Sequence, residues 1–412
     1  MGFQFRHPDD SEKESGKEEH KEKESGNKSV SKEETGPKAN LDSLLNGLKD
    51  KDPTKRVEAV EGLERLGDPR VVEPLCVALR DKKAMVRQAA VKSLGRLGDI
   101  RAIEPLIRAV KTGLKHGEET GKVYGGQLRE IRFPEAEAAR GALEAIKSPE
   151  AASHLSEGLK ERNPQVRKVV VLALGNLGYP TAVEPLLKAL TDHDSMVRSW
   201  AAESLRNYKD PRALQPLLKA IRTEKEGLTA VRAAIALGVM GEPAFEPLVQ
   251  ASKDSNPRVR KYAVTGLGFM GYDSESDTFN FDTRRCLDPL IAVLSDRDSA
   301  VRKEAVEGLG RIGDEHAVDS LLVTLKDRDI EVRLAVVEAL GSIRTKKAVD
   351  PLIQALNDKK SDVRVEAAKA LGLIGNEKAI EPLSQIRKDD EREVRSAVRT
   401  ALERLGWEGP II

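Results

Sequence analysis

Two cysteines and six histidines are the side chains of this 412-residue sequence with the widest potential for nucleophilic or metal chemistry. Cys76 stands at a recurring position that other parts of the chain fill with leucine, isoleucine or valine, and Cys286 stands where alanine predominates. Both cysteines are therefore predicted to pack in the core. Two cysteines are also too few for a disulfide framework or a four-thiolate zinc site. We expect no catalytic residue, no metal site and no cofactor.

A second chemical pattern places an acid six residues before an arginine, and it recurs along the chain. Such a pair can do acid–base chemistry, but a catalytic role would require about ten equivalent sites in one chain. The planar guanidinium of arginine can bind a carboxylate and a backbone carbonyl together. Repetition therefore favours a structural ladder between neighbouring units. The predicted ladder comprises Asp81, Arg87, Asp192, Arg198, Asp254, Arg260, Asp296, Arg302, Asp327, Arg333, Asp358, Arg364, Asp389 and Arg395.

The acid–arginine pairs belong to a longer unit with a period of 31 residues, seen between Arg302, Arg333 and Arg364. We call this arginine the anchor. All eleven copies of the unit have leucine seven residues after the anchor position, including two copies in which Ala136 and Ala230 replace arginine. A small residue stands six residues after it, which allows a neighbouring helix to approach closely. Apolar residues at helical spacing predict an all-α solenoid of about eleven two-helix repeats.

The first helix of most units contains a proline at a fixed place, for example Pro74, Pro105 and Pro185. A proline inside a helix removes one backbone hydrogen bond and clashes with the preceding turn. We therefore predict a bend in these first helices.

The domain organisation follows from where the period fails. Residues 1–40 contain 8 basic and 10 acidic residues and few apolar ones, which predicts a disordered charged tail. The solenoid should cover 41–412. Two anchor spacings exceed the period and predict insertions near 112–133 and 272–285.

Charge and composition exclude several classes of protein. The 69 basic and 68 acidic residues leave a net charge of +1, whereas a general binder of phosphate backbones needs a basic excess. No apolar run is long enough to span a bilayer, and no secretory signal is visible. We expect a cytoplasmic protein that binds neither nucleic acid nor membrane.

The unit Val-Glu-Pro-Leu, followed by Leu-x-Asp-x-x-x-x-Val-Arg-x-x-Ala-x-x-x-Leu-Gly-x-x-Gly-Asp, resembles the HEAT-like repeats of the phycobilisome lyases. The resemblance covers 41–412 and implies an α-solenoid whose second helices line the concave face. Such relatives include chromophore-attaching lyases, deoxyhypusine hydroxylase and binding scaffolds. The hydroxylase relatives hold two irons with His-Glu pairs, and no histidine of this sequence is followed by glutamate. Di-iron chemistry is therefore not expected, and the resemblance alone does not choose a function.

Positions one, five and nine after the anchor should face the concave groove, and in most units they are polar. In the central units these positions, and a tryptophan beside them, are apolar. An exposed apolar patch of this kind usually marks a contact site. The alternative is that the unit at Ala230 is rotated and packs these residues internally. The predicted contact residues are Leu172, Trp200, Val231, Ile235, Val239 and Phe269.

These observations predict a non-catalytic scaffold or adaptor that binds a protein or peptide in its concave groove. The two insertions offer further contact surfaces, because loops of repeat proteins carry variable contacts. The alternative, which rests on the resemblance alone, is a lyase or chaperone-like factor similar to the phycobilisome bilin lyases. A nucleic-acid groove is disfavoured by the mixed charges of the inner face.

Overall fold

The structure is a computed structural model, and it describes residues 37–120, 134–225, 227–273, 278–407 and 409. Within these residues 22 α-helices form eleven consecutive pairs, which confirms the predicted all-α solenoid. The first helices of the pairs are α1 (Pro37–Gly47), α3 (Val72–Ala78), α5 (Ile103–Thr120), α7 (Ala151–Gly158), α9 (Val183–Ala189), α11 (Leu214–Thr223), α13 (Glu242–Ala251), α15 (Leu287–Val293), α17 (Val318–Thr324), α19 (Val349–Ala355) and α21 (Ile380–Gln385). The second helices are α2 (Pro53–Leu66), α4 (Ala84–Leu97), α6 (Pro134–Ala145), α8 (Pro164–Gly175), α10 (Ser195–Arg206), α12 (Gly227–Met240), α14 (Pro257–Gly268), α16 (Ser299–Ile312), α18 (Ile330–Ile343), α20 (Ser361–Ile374) and α22 (Arg392–Arg404).

The first helix begins four residues before the predicted start of the solenoid. The rest of the predicted tail, residues 1–36, lies outside the described residues, as does the part of the first insertion at 121–133. The earlier part of that insertion continues helix α5 as far as Thr120. The second insertion forms a short antiparallel hairpin of β1 (Tyr272–Asp273) and β2 (Thr278–Phe279), whose connection at 274–277 lies outside the described residues.

Local signals start and stop the helices, and the unit that contains α16 shows them together. The carboxylate of Asp298 accepts the backbone N–H of Ala300 at 2.9 Å and so caps the start of α16. The helix ends at Gly313, whose φ of 73° is a left-handed conformation that glycine adopts without steric cost. Asp314 then accepts the backbone N–H of His316 at 2.9 Å and caps the next turn. Two adjacent residues therefore close one unit and open the next.

The recurrent prolines lie where they break no hydrogen bond. A 3₁₀ turn opens most first helices, and Pro74, Pro185 and Pro351 are each the third residue of the α-helix that follows. Backbone N–H groups in a first turn have no partner within the helix. The expected loss of a helical hydrogen bond is therefore wrong for these helices. Pro247 differs, because it lies in the interior of α13.

Consecutive second helices come closest where a glycine of one unit faces a small residue of the next. A Cβ atom on Gly310 would lie 2.7 Å from the Cβ of Ala339, and one on Gly372 would lie 2.9 Å from the Cα of Ala401. Neither distance is tolerated between real side chains without movement of a helix. The first glycine of each Leu-Gly-x-x-Gly motif therefore lies inside the helix and permits packing, while the second ends the helix.

The arginines and acids form a ladder in which each arginine binds the acid of the following unit. Arg302 donates through Nε and Nη2 to the carboxylate of Asp327 at 2.6 and 2.8 Å. Its Nη1 donates to the backbone carbonyl of Asp296, six residues earlier in its own unit, at 2.8 Å. The carboxylate of Asp327 also accepts the backbone N–H of Asp329, the residue whose own side chain caps the start of α18. Equivalent pairs join Arg56 to Asp81, Arg167 to Asp192, Arg198 to Glu224, Arg260 to Asp296, Arg333 to Asp358, and Arg364 to Asp389.

The ladder changes where a partner unit lacks its anchor or lies at the end of the stack. Ala230 replaces an arginine, and among the described residues no guanidinium forms a salt bridge with Asp254, the acid of the next unit. Arg87 donates its Nη1 to the carbonyl of Asp81 at 2.9 Å, as the other anchors do. Arg395, in the last described unit, donates to the carbonyl of Asp389 at 2.6 Å.

The second helices form the inner row of the stack. Each of them contacts the next along the whole chain from α2 to α22, whereas consecutive first helices, such as α11 and α13, contact each other directly at few places. We call the surface formed by the second helices the concave groove, because the resemblance to HEAT-like repeats implies that these helices line the concave face. A continuous cluster of buried leucine, valine and alanine fills the space between the two rows.

Candidate functional site

The six predicted contact residues lie on four consecutive second helices or directly after one of them. Leu172 is in α8, Trp200 is in α10, Val231, Ile235 and Val239 are in α12, and Phe269 follows α14. All are half-buried except Val239.

Val239 is only 6% exposed, so its predicted exposure in the groove is wrong. The cause is the second insertion, because the chain that enters it covers the last turn of α12. Strand β1 contacts α12, and Gly271 donates its backbone N–H to the carbonyl of Gly238 at 2.8 Å. Internal packing thus applies to this end of α12, while Val231 and Ile235 stay partly accessible.

Trp200 lies in a cluster of cationic side chains. The guanidinium carbon of Arg232 is 3.9 Å from the centroid of the indole ring, and the Nζ of Lys168 is 5.4 Å from it. Both distances suit cation–π attraction. Glu203 forms a salt bridge of 3.0 Å with Arg206 and lies 4.0 Å from the Nε of Arg232. Two arginines, Arg206 and Arg232, therefore share the carboxylate of Glu203, and two cations, Arg232 and Lys168, lie against the indole ring.

Phe269 is held by a second arginine–aromatic pair. The guanidinium carbon of Arg311 is 3.9 Å from the ring centroid, and Arg311 donates through Nη1 to the carbonyl of Gly268 at 3.1 Å. Tyr272 packs edge-on against the same ring, with centroids 6.0 Å apart. Burial lowers the pKa of Arg311. The repeat pattern does not single out Arg232 or Arg311, although Arg232 is the one charged residue in α12.

Beyond this region, several carboxylates lie close to one another on the second helices. Glu304 in α16 is buried enough that desolvation, together with the neighbouring carboxylate of Glu307, raises its pKa. In α18 the pKa of Glu338 is raised first by partial burial and then by the charge of Glu366 on α20. A cavity of about 420 Å³ opens beside Glu304 and Glu307. Lys303 pairs with Glu307 at 3.8 Å and with Glu331 at 3.0 Å, so the second half of the face carries both signs of charge, whereas the centre is cationic and aromatic.

The repeat signature matches a known family along most of the chain. A family model for HEAT repeats matches residues 41–115, 152–238, 245–327 and 319–403. The chain belongs to the HEAT repeat family. No curated protein matches it significantly.

Two karyopherins of solved structure share the fold at low sequence identity. The karyopherin Kap121p, bound to the extreme C-terminus of the protein phosphatase Cdc14p, is 15% identical with a TM-score of 0.55, over 89% of this chain and 45% of that chain. Kap95p, in a structure that concerns the switch loops of RanGDP, is 14% identical with a TM-score of 0.50, over 90% of this chain and 56% of that chain. Human deoxyhypusine hydroxylase in complex with glycerol is 24% identical over 63% of this chain and 97% of that chain, with a TM-score of 0.28. This HEAT chain thus spans about half the length of the karyopherins.

The metal-binding and thiol groups of the described HEAT repeats are dispersed or buried. Among the residues that the structure describes, no three histidine, cysteine, aspartate or glutamate side chains are placed to hold a metal ion. Burial raises the pKa of Cys76 to about 11 and that of Cys286 to about 12. Both thiols therefore stay protonated near neutral pH and are weak nucleophiles. In the same described part of the chain, every helix is too short or too polar to cross a bilayer.

Proposed function

We propose that this protein is a non-catalytic scaffold whose concave groove holds a segment of a partner protein across helices α8, α10, α12 and α14. The observation that carries the proposal is the row of half-buried apolar side chains at Leu172, Trp200, Val231, Ile235 and Phe269. Each lies on or directly after a second helix, so together they cross the groove. When a partner covers apolar side chains that are partly accessible on a concave surface, their removal from water lowers the free energy of the complex.

The flanking groups support a protein partner. Arginines stacked on Trp200 and Phe269 resemble the aromatic and arginine anchors that dominate the binding energy of protein interfaces. A HEAT solenoid is a fold typical of interaction scaffolds. The Kap121p structure shows a HEAT-like solenoid in complex with the end of another protein's chain. By analogy of fold, we infer the same general use of the groove here.

We also propose that the repeats belong to the subtype first named in phycobilisome lyases, because their unit carries the Leu-Gly-x-x-Gly-Asp signature of that subtype. A lyase or chaperone-like activity on a tetrapyrrole remains the alternative that the subtype suggests. Recovery of a tetrapyrrole with the purified protein would favour it over the scaffold. The two unpaired cysteines are in line with a reducing cytoplasm as the proposed location.

A single substitution in the groove tests the scaffold function. Ile235→Asp places a charge among the apolar contact residues and should abolish capture of partner proteins by the immobilised full chain. Val323→Asp is the matched control, because Val323 on the first helix α17 is apolar yet 77% exposed. We expect Val323→Asp to retain capture and both variants to retain thermal stability.

Two results would contradict the proposal. Equal capture by the Ile235→Asp variant and the wild-type chain would show that partners bind elsewhere. A large loss of melting temperature for Ile235→Asp, with none for the control, would show that Ile235 belongs to the core.

A further inference from the structure

Arg232 is a cation that lacks a full set of acceptors. Its side chain is 18% exposed, and its guanidinium is stacked face-on over Trp200. Its Nη1 is buried and has no hydrogen-bond partner. Burial lowers the pKa of Arg232, while the charge of Glu203 raises it. A buried donor without an acceptor is unfavourable, and the exposed fraction of the side chain is the part of the guanidinium that an external acceptor reaches.

The neighbouring groups are also donors. The indole Nε1 of Trp200 is buried without a partner, and it can only donate. Lys168 lies on another side of the same ring. Glu203, the carboxylate nearest to Arg232 in the part of the chain that the structure describes, already binds Arg206 at 3.0 Å. The cluster therefore has more donors than acceptors and a surplus of positive charge, which favours an anionic acceptor.

We propose that Arg232 and Trp200 form a subsite for the carboxylate of an aspartate or glutamate side chain in the bound partner segment. This inference rests on the proposed scaffold function and specifies the chemistry of its partner. A charge-assisted hydrogen bond from a planar guanidinium suits a carboxylate. Apolar contact residues lie on both sides of the subsite, at Leu172 in α8 and at Phe269 after α14. The partner segment therefore continues in both directions, and the carboxylate belongs to an internal side chain.

The carboxylates that alternate with lysines in the second half of the groove argue for a protein segment and against a nucleic acid. A polyanion that extends from Arg232 along the groove would meet Glu304, Glu307 and Glu338, whose charges already oppose one another. Helices α12 and α18 are three steps apart in the stack, so Arg232 and Glu338 are roughly 25–30 Å apart at the usual helix spacing. An extended chain covers that distance in about eight residues. The fitting partner thus has an acidic residue and, about eight residues away, a basic one.

Trp200 makes the subsite observable by fluorescence. The chain has two tryptophans, and Trp407→Phe leaves Trp200 as the sole tryptophan, so selective excitation of tryptophan reports on the subsite. We would titrate this protein with apolar peptides that carry one glutamate and one lysine at the stated spacing, in both chain directions. Matched peptides replace the glutamate with glutamine. We expect the glutamate peptide to bind about ten to a hundred times more tightly than its glutamine partner.

Substitutions of Arg232 test whether this residue causes the preference for the glutamate peptide over the glutamine peptide. Arg232→Gln should remove the difference in affinity between the two peptides, because an amide has neither the charge nor the planar set of N–H donors of a guanidinium. Arg232→Lys keeps the charge but loses the planar stack, and it should retain only part of the difference. Arg96→Gln is the matched control, because it removes an exposed arginine from another second helix and should change nothing.

The possible outcomes separate this inference from the scaffold function. If glutamate and glutamine peptides bind equally and Arg232→Gln has no effect, the carboxylate subsite is refuted while the scaffold stands. If no peptide binds, whatever its charge, both proposals fail. If a single-stranded oligonucleotide binds with the same dependence on Arg232 and displaces the peptides, the groove is a polyanion site and the inference is wrong. Melting curves of each variant show whether a loss of binding reflects a loss of fold.

Discussion

Removal of one ladder arginine tests whether the acid–arginine pairs hold the stack together. Arg302→Ala leaves the carboxylate of Asp327 without its bidentate partner, and the two side chains are only 6% and 10% exposed. The substitution also removes the donor to the carbonyl of Asp296. Breaking a buried pair by removing one partner costs about 3–5 kcal/mol, because the remaining charge stays buried. We expect a loss of unfolding free energy near the lower end, since Asp327 keeps its backbone hydrogen bond.

The assay is urea unfolding of the full chain at pH 7, followed by circular dichroism, with hydrogen exchange to locate the effect. Exchange should increase most in α16 and α18, because repeat units interact mainly with their neighbours. Arg395→Ala is the matched control. Its guanidinium donates to backbone carbonyls at the end of the stack and is exposed, so we expect a loss below about 1 kcal/mol.

A second substitution separates the buried charge from the lost packing. Asn at position 327 keeps the backbone hydrogen bond but carries no charge, so Asp327→Asn should restore part of the stability lost in Arg302→Ala. Equal losses for Arg302→Ala and Arg395→Ala would refute the ladder as a source of stability, as would a cost below 1 kcal/mol for Arg302→Ala.

Further predictions concern packing, pH and thiol reactivity. Gly310→Ala should destabilise the chain by about 1–3 kcal/mol, because the added Cβ meets the next helix. Gly141→Ala has open space around the added Cβ and should stabilise the chain by up to about 1 kcal/mol. Melting curves of the two variants and of the wild-type chain test both expectations. Hydrogen bonds from arginine hold the pKa of Asp81 and of Asp389 below the usual 3.8, so melting temperature should be level near neutral pH and fall as pH drops below about 3.8; a level curve down to pH 2 would contradict this. The raised pKa of Cys286 predicts slow labelling by a maleimide at pH 8, at a rate that equals that of a free thiol only after unfolding.

The repeated features of the fold were accessible from the sequence, because each residue type performs the same task in every unit. A leucine seven residues after Arg302, a small residue beside it and Gly313 at the helix end are local signals, and eleven copies reinforce them. The prolines were misread, because the sequence does not show that a 3₁₀ turn places Pro74 in the first turn of its helix.

The details of the groove were less predictable, because they depend on contacts that occur once. Val239 is buried by an insertion about thirty residues later in the chain, and the repeat pattern does not predict this contact. The stacking of Arg232 on Trp200 joins two different units, and it follows from side-chain directions that a repeat pattern does not specify. The sequence located the apolar centre of the groove but missed the arginines that accompany it.

Site-specific photo-crosslinking tests the central claim most directly. A photoreactive residue would replace Ile235 in the concave groove in one chain, and Val323 on the first-helix side in another. The scaffold account predicts discrete crosslinked partner polypeptides from position 235 and none from position 323. An excess of the wild-type chain, which carries no photoreactive residue, should compete for the partner and abolish the crosslinks from position 235. Crosslinks from position 323 that equal or exceed those from position 235 would contradict it.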